Sequence, residues 1–224
     1  MRNSLSPLAW FQLICVLLGL MLLNSPVTAD SGHKEVNEKD IHFFPTTEIS
    51  LGDFPAEGPI LDIGGGGEGI IGRLKGSQVV AIDINERELA EAPDGPLKIV
   101  MDASELKFLD NSFNCVTIFF TMMYIPAELH GKVLGQCARV LKPGGRLMIW
   151  DMNLTAQPSG AKKIAAIRLK IQLPGKTVKP GYGTHWPAKA LDAAHYKQLA
   201  DSCGLQVSAE TDNGSTFYLE LKKP

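Results

Sequence analysis

Cysteine is scarce in this chain, with four in 224 residues, and no two stand at a spacing that suits a metal ion or a disulfide framework. Cys115 falls in an apolar strand pattern and Cys137 in a helical one, which reads both as small core residues. An excess of positive charge is also missing. Lys and Arg total 22 against 24 Asp and Glu, a formal net charge of −2, so the composition offers no footing for a nucleic-acid partner. No internal repeat or low-complexity tract stands out. What remains is ordinary globular material, 45% hydrophobic and 21% charged, and long enough for one well-buried domain.

The first 29 residues follow a different pattern. One charge, Arg2, precedes an apolar stretch over residues 8–23. Pro26 then breaks it, and Val27-Thr28-Ala29 places small residues before Asp30. Charged start, apolar middle and small-residue end read as an export signal over 1–29. The stretch is short for a membrane span and contains Gln12, which favours cleavage over anchoring. The protein is therefore expected to be exported, periplasmic or secreted, or else tethered to a membrane by an uncleaved segment. Residues 30–46 are polar and charged and read as a flexible lead-in to a domain over 47–224.

Within that domain, short apolar runs alternate with helical patterns. "PILDIG", "QVVAIDI", "LKIVMDA", "FNCVTIFF" and "RLMIWDM" read as five strands. "EGIIGRLKG" and "NERELAEAP" read as helices between them. So does "PAELHGKVLGQCARVL", where Leu129, Val133, Leu134, Cys137, Val140 and Leu141 recur at helical spacing before "KPGG" stops the run. Strand and helix repeated in this way predict a parallel sheet covered on both faces. A last helix in "ALDAAHYKQLADSCG" leads to two strands around Asn213-Gly214, which is a hairpin signal.

The stretch "ILDIGGGGEGIIGRL", residues 60–74, puts four consecutive glycines directly after the first strand. Glycine is costly to order, so such a run implies close approach of a ligand to the backbone. In an open α/β sheet that ligand sits at the carboxyl ends of the strands. Gly64, Gly66 and Gly69 fit the dinucleotide pattern, with Asp83 about 20 residues on. The same stretch also reads Asp-x-Gly-x-Gly from Asp62. A carboxylate there repels a pyrophosphate and suits a cationic ligand carrying an amino group and a sulfonium.

Taken together, the segment from about 58 to 152 resembles the class I S-adenosylmethionine-dependent methyltransferases. "ILDIGGGG" resembles the first motif of that family, and "VVAIDIN" its second-strand acid. "DASELKFLDNSFNCV" and "ARVLKPGGRLMI" resemble two later segments, and all four occur in order. The resemblance implies an α/β fold: a Rossmann-like three-layer sandwich whose mostly parallel seven-stranded sheet ends in an antiparallel hairpin. It also implies S-adenosyl-L-methionine as cofactor. Two positions depart from the pattern: Glu68 stands where the family commonly has a third glycine, and Asn114 replaces an aspartate at the opening of the fourth strand.

Carried over residue by residue, the resemblance implies that Asp62 approaches the cofactor's amino group, while Gly64 and Gly66 line its methionine portion. Asp83 accepts from the ribose hydroxyls, with Ile84 against the adenine. Asp102 and Ala103 lie by the adenine edge, and Phe119 belongs to the pocket wall. The family's motif for methylating planar amide or base nitrogens is absent after the fourth strand, where "FFTMMYIP" stands, so a small-molecule acceptor is expected. Residues 156–189, within which "LPGKTVKPGYGTHWPAK" is rich in Gly, Pro and aromatics, are expected to form a lid over that acceptor. Tyr182, His185 and Trp186 are its candidates to meet substrate, with His185 a candidate base. His130 and His195 read as surface residues. Two alternatives stay open: a non-catalytic nucleoside-binding protein on the same fold, and an NAD-dependent oxidoreductase.

Overall fold

The computed structural model of the protein describes residues 38–157 and 162–224. The expected export signal over 1–29 lies outside the described residues, as does the lead-in up to residue 37. Two short strands come first, β1 (Ile41–Phe43) and β2 (Thr47–Ser50). Five strands of a larger sheet follow: β3 (Ile60–Ile63), β4 (Val79–Asp83), β5 (Leu97–Val100), β6 (Phe113–Phe119) and β7 (Leu141–Met152). Helices α1 (Ile70–Lys75), α2 (Glu86–Glu91) and α3 (His130–Val140) lie between them in sequence. Then come β8 (Ile164–Leu173), β9 (Lys176–Val178), β10 (Gly181–His185), α4 (Ala193–Ser202), β11 (Gln206–Asp212) and β12 (Thr216–Lys222).

The main sheet has seven strands in the order β11-β12-β7-β6-β3-β4-β5. Strands β3 to β7 pair in parallel, and β12 and β11 close the edge antiparallel. This is the expected fold class. Its central strands are apolar throughout because both faces are covered: β3 is buried at all four positions, and Val116, Thr117 and Ile118 of β6 are fully inaccessible. Asn114, second residue of β6, donates its side-chain amide to the Glu57 carbonyl at 3.0 Å and ties down the approach to β3. Cys115 and Cys137 are buried, as their patterns imply. Helix α3 ends at Val140, and the Lys-Pro-Gly-Gly run makes an irregular start to β7, where the register against β6 shifts between Phe113 and Cys115.

The second sheet corrects two expectations. Residues 164–185 are strands rather than a Gly/Pro-rich loop. β8 is the central strand, flanked on one edge by β1 and β2 in parallel and on the other by β9 and β10 antiparallel. The cause is a period of two: Ile167, Leu169, Ile171 and Leu173 are buried, while Arg168, Lys170 and Gln172 alternate with them and stay partly exposed. Pro174-Gly175 turns the chain back, with Gly175 at φ 74°. The lead-in is likewise not wholly loose. Ile41 of β1 is fully buried against Ile164 and Ala166, so the chain enters the fold as part of this sheet from residue 41 onward.

Candidate functional site

A cavity of about 690 Å³ opens at the carboxyl ends of β3, β4 and β6. The residues that the sequence assigns to a cofactor all line it: Asp62, Gly64, Gly66, Asp83, Ile84, Asp102, Ala103 and Phe119. They converge because each follows or ends a strand of the parallel sheet, where side chains and loops fan out on one side.

The glycine loop lies over β4, with the Gly64 and Gly65 amides both donating to the Ile82 carbonyl at 2.8 and 3.0 Å. Gly64, Gly65 and Gly66 have no room for a side chain. Gly64 sits at φ 71°, where a Cβ would fall 2.3 Å from the Thr121 side chain; at Gly66 it would fall 2.6 Å from Glu88 Cβ and 2.9 Å from Asp83 Oδ2. The loop therefore presents bare backbone to the cavity beside the Asp83 carboxylate.

Asp62 is 2% exposed, and its Oδ1 accepts from the Thr117 hydroxyl at 2.7 Å. Burial pushes its carboxyl up to about 7, opposed by the Thr117 bond and reinforced by the nearby Asp83 charge. Burial also raises Asp83, which accepts from the Asn85 amide at 2.9 Å. Asp102 is exposed and accepts from the Ser104 amide at 2.7 Å, while Ile84 stands 72% exposed at the cavity's open side.

Glu68 also lines the cavity, and burial raises its carboxyl. Glu88, on α2, is raised by burial and then by Glu91, Asp83 and Glu68. With Glu86, six carboxylates line the cavity, and no Lys, Arg or His does. A carboxylate-rich, cation-free lining beside a bare glycine cradle fits a ligand with ammonium and sulfonium charges, and disfavours a pyrophosphate. The residues present fit S-adenosylmethionine.

The other end of the cavity is apolar and aromatic. Phe120 packs between Phe119, with ring centroids 5.0 Å apart, and Tyr182, stacked at 5.0 Å and 11°. Tyr182 projects from the inner face of β10 to the cavity wall. The neighbouring Tyr124 hydroxyl accepts from the Gly183 amide at 3.3 Å, and Ile125, Leu129 and Val133 complete the wall. Burial raises both phenols, which stay protonated at neutral pH.

His185 does not join them. It is the exposed last residue of β10 and does not line the cavity, because its register opposite Ile164 turns it to the outer face. Trp186 packs against His42 and Phe44 at the sheet's margin and donates to the Lys162 carbonyl at 2.7 Å.

His130 is the opposite correction, since it is fully buried. Its Nε2 lies 3.0 Å from the Met122 carbonyl and 2.9 Å from that of Ile125, so it donates there, and Nδ1 accepts from His195 Nε2 at 3.1 Å. Asp151, also fully buried, accepts from the Met152 amide at 2.7 Å and the Met123 amide at 3.2 Å; burial pushes it up to about 7. Both side chains fasten the turn at 122–125 that carries Tyr124. Sequence reading missed them, along with Phe120, Tyr124 and Glu88. Position directly after β6 was the available signal for Phe120 and Tyr124.

A parallel sheet with a terminal antiparallel hairpin, a glycine cradle and acids at three successive strand ends define the class I methyltransferase architecture. Residues 61–149 match the family model described as "Methyltransferase domain". The chain is 31% identical over 178 residues to a ubiquinone/menaquinone biosynthesis C-methyltransferase UbiE of Pseudomonas putida, covering 73% of this chain and 64% of that one. The counterpart from Marinomonas sp. is 31% identical over 182 residues, 74% of this chain and 67% of its own. Among solved structures, the PH0226 protein of Pyrococcus horikoshii superimposes with a TM-score of 0.55 at 20% identity, over 75% of this chain and 82% of that one, and shows the same fold. The chain belongs to the class I S-adenosylmethionine-dependent methyltransferases, whose cofactor is S-adenosylmethionine. It spans less than two thirds of the length of the Pseudomonas relative, 64%.

Proposed function

We propose that this chain transfers a methyl group from S-adenosylmethionine to a small, largely apolar acceptor with a planar or aromatic face. The observation that carries the reading is one cavity in which Asp62, Asp83 and Asp102 meet a wall of Phe119, Phe120, Tyr124 and Tyr182. When bound, the cofactor supplies a methyl group on a sulfonium leaving group. The chain's part is to hold and orient. Asp83 takes the ribose hydroxyls, Asp62 the ammonium, and the stacked Phe120–Tyr182 pair offers a flat apolar face to the acceptor. With no histidine in the lining and both phenols protonated, the site suits an acceptor that ionises readily by itself, such as a phenol or an activated ring carbon. The UbiE relatives, named as C-methyltransferases of ubiquinone and menaquinone biosynthesis, support the same chemistry. The apolar stretch at 8–23 belongs to this proposal as an export signal or tether, which the N-terminal sequence of the purified protein tests.

The acceptor class is tested by incubating the full chain with methyl-labelled S-adenosylmethionine and a panel of phenols, quinols, amino acids and short peptides. Label is expected in the phenols or quinols, and Tyr182→Ala should lower that turnover by about tenfold or more while cofactor affinity holds. Label confined to the amino acids and peptides contradicts the reading.

A further inference from the structure

The charges of this molecule are not evenly spread. Between Asp151 and Asp192 the chain has seven Lys or Arg side chains and no acidic one, although the whole protein carries a net −2. This segment supplies β8, β9 and β10 of the second sheet; the other two strands, β1 and β2, contain one acid, Glu48. The sheet's two faces do different things, because strand side chains alternate. The inner face packs Ile167, Leu169, Ile171 and Tyr182 onto the core and forms part of the acceptor wall.

The outer face carries the charge. Arg168 lies over the Phe43 ring at 4.2 Å. Lys170 is on the same face and is paired at 2.9 Å with Glu48 of β2. The antiparallel register that sets Val178 opposite Ile171 and Gly181 opposite Arg168 puts the exposed Lys179 opposite Lys170. Exposed Lys162 and Lys163 stand at one end of β8, with Lys189 just beyond β10, and exposed Lys176 stands at the other end. Gly181 and Gly183 share this side of the strand but are buried there, near the small cluster of Ile41, Ile164 and Ala166, so the charge lies around that cluster rather than over it.

We propose that this basic outer face docks on an anionic phospholipid bilayer. Charge complementarity gives the sign of the partner, since a row of lysines on a flat sheet is drawn to a surface of phosphates and released by salt. Chain continuity favours a bilayer over a free polyanion. In the chain, the apolar stretch at 8–23 precedes β1 of this same sheet, so an uncleaved stretch held in lipid would bring the basic face to the surface that holds it. A duplex nucleic acid is disfavoured by the net negative charge and by the carboxylates lining the adjoining cavity. Docked in this way, the acceptor wall lies on the order of 10 Å from the headgroups, the thickness of one packed sheet, and an apolar acceptor dissolved in the bilayer is within reach.

The test is co-sedimentation of the full chain with phosphatidylcholine vesicles, and with vesicles in which about a third of the lipid is phosphatidylglycerol. Neutral vesicles register what the apolar stretch contributes, and the anionic preference registers the sheet. The unaltered chain should prefer anionic vesicles by about tenfold or more at low salt, and high salt should abolish the preference. The K163Q/K179Q/K189Q variant should lose it, while K132Q/K142Q/K222Q, which removes as many exposed lysines elsewhere, should keep it. Equal loss in both variants, no preference in the unaltered chain, or equally tight binding of duplex DNA at the same salt would overturn the proposal. None of these readings depends on methyl transfer, so failure here and failure of the proposed reaction remain distinct.

Discussion

At the scale of single residues, Asp83 holds the central position in the cavity. Its carboxylate ends β4, borders the bare Gly66 backbone and faces the cavity, where the ribose of the cofactor is expected. Asp83→Ala should weaken S-adenosylmethionine binding by about 1.5–3 kcal/mol, the scale of hydrogen bonds to a charged group, as read by calorimetry. Unchanged affinity would remove the ribose assignment. The acids and glycines that line the cavity were legible in the sequence because each lies in a short local motif at the end of a strand. The side chains that fasten the acceptor wall were not. His130 meets His195, which is 65 residues away, and Asp151 meets Met123, which is 28 residues away; neither pair leaves a trace in any sequence window. A buried histidine at the start of an amphipathic helix looks the same in sequence as a solvated one.

At the scale of elements, the parallel strands and the terminal hairpin follow from apolar runs, helix stops and the Asn-Gly turn, and the structure agrees with each of these. The second sheet was hidden for a physical reason. Its Gly, Pro and aromatic residues at 174–187 have loop-like composition, yet Ile167 to Leu173 alternates strictly, and that period outweighs composition once the inner face meets the core. The strand is as much a part of the fold as those of the main sheet. Leu169, 1% exposed at its centre, should cost about 2–5 kcal/mol when replaced by Ala, measured by denaturant unfolding. A cost below about 1 kcal/mol would mean that the sheet is loosely attached, and that Tyr182 is not rigidly placed.

At the scale of the whole molecule, carboxylates gather around the cavity and lysines on the outer sheet, and this division has a consequence for stability. Asp62 and Asp151 are each pushed by burial from an ordinary value of 3.8 up to about 7. Between those limits the folded protein binds more protons than the unfolded chain, so stability falls as pH rises through the window. The melting temperature without ligand should therefore be higher near pH 5.5 than near pH 8, by an amount that shrinks in Asp151→Asn. The buried His130 and the half-buried His195, both lowered by burial, act in the opposite sense, so the decisive reading is the variant: a pH dependence unchanged in Asp151→Asn would show that Asp151 is not buried as described. Cofactor binding brings a cation to Asp62 and should release a fraction of a proton near neutral pH.

The most direct measurement is a calorimetric titration of the full chain with S-adenosylmethionine, S-adenosylhomocysteine and NAD in separate runs. The six-carboxylate lining favours the sulfonium charge, so S-adenosylmethionine should bind in the micromolar range, S-adenosylhomocysteine more weakly, and NAD not at all. Binding of NAD alone, or silence with all three ligands, would contradict the account of why the glycine run is there.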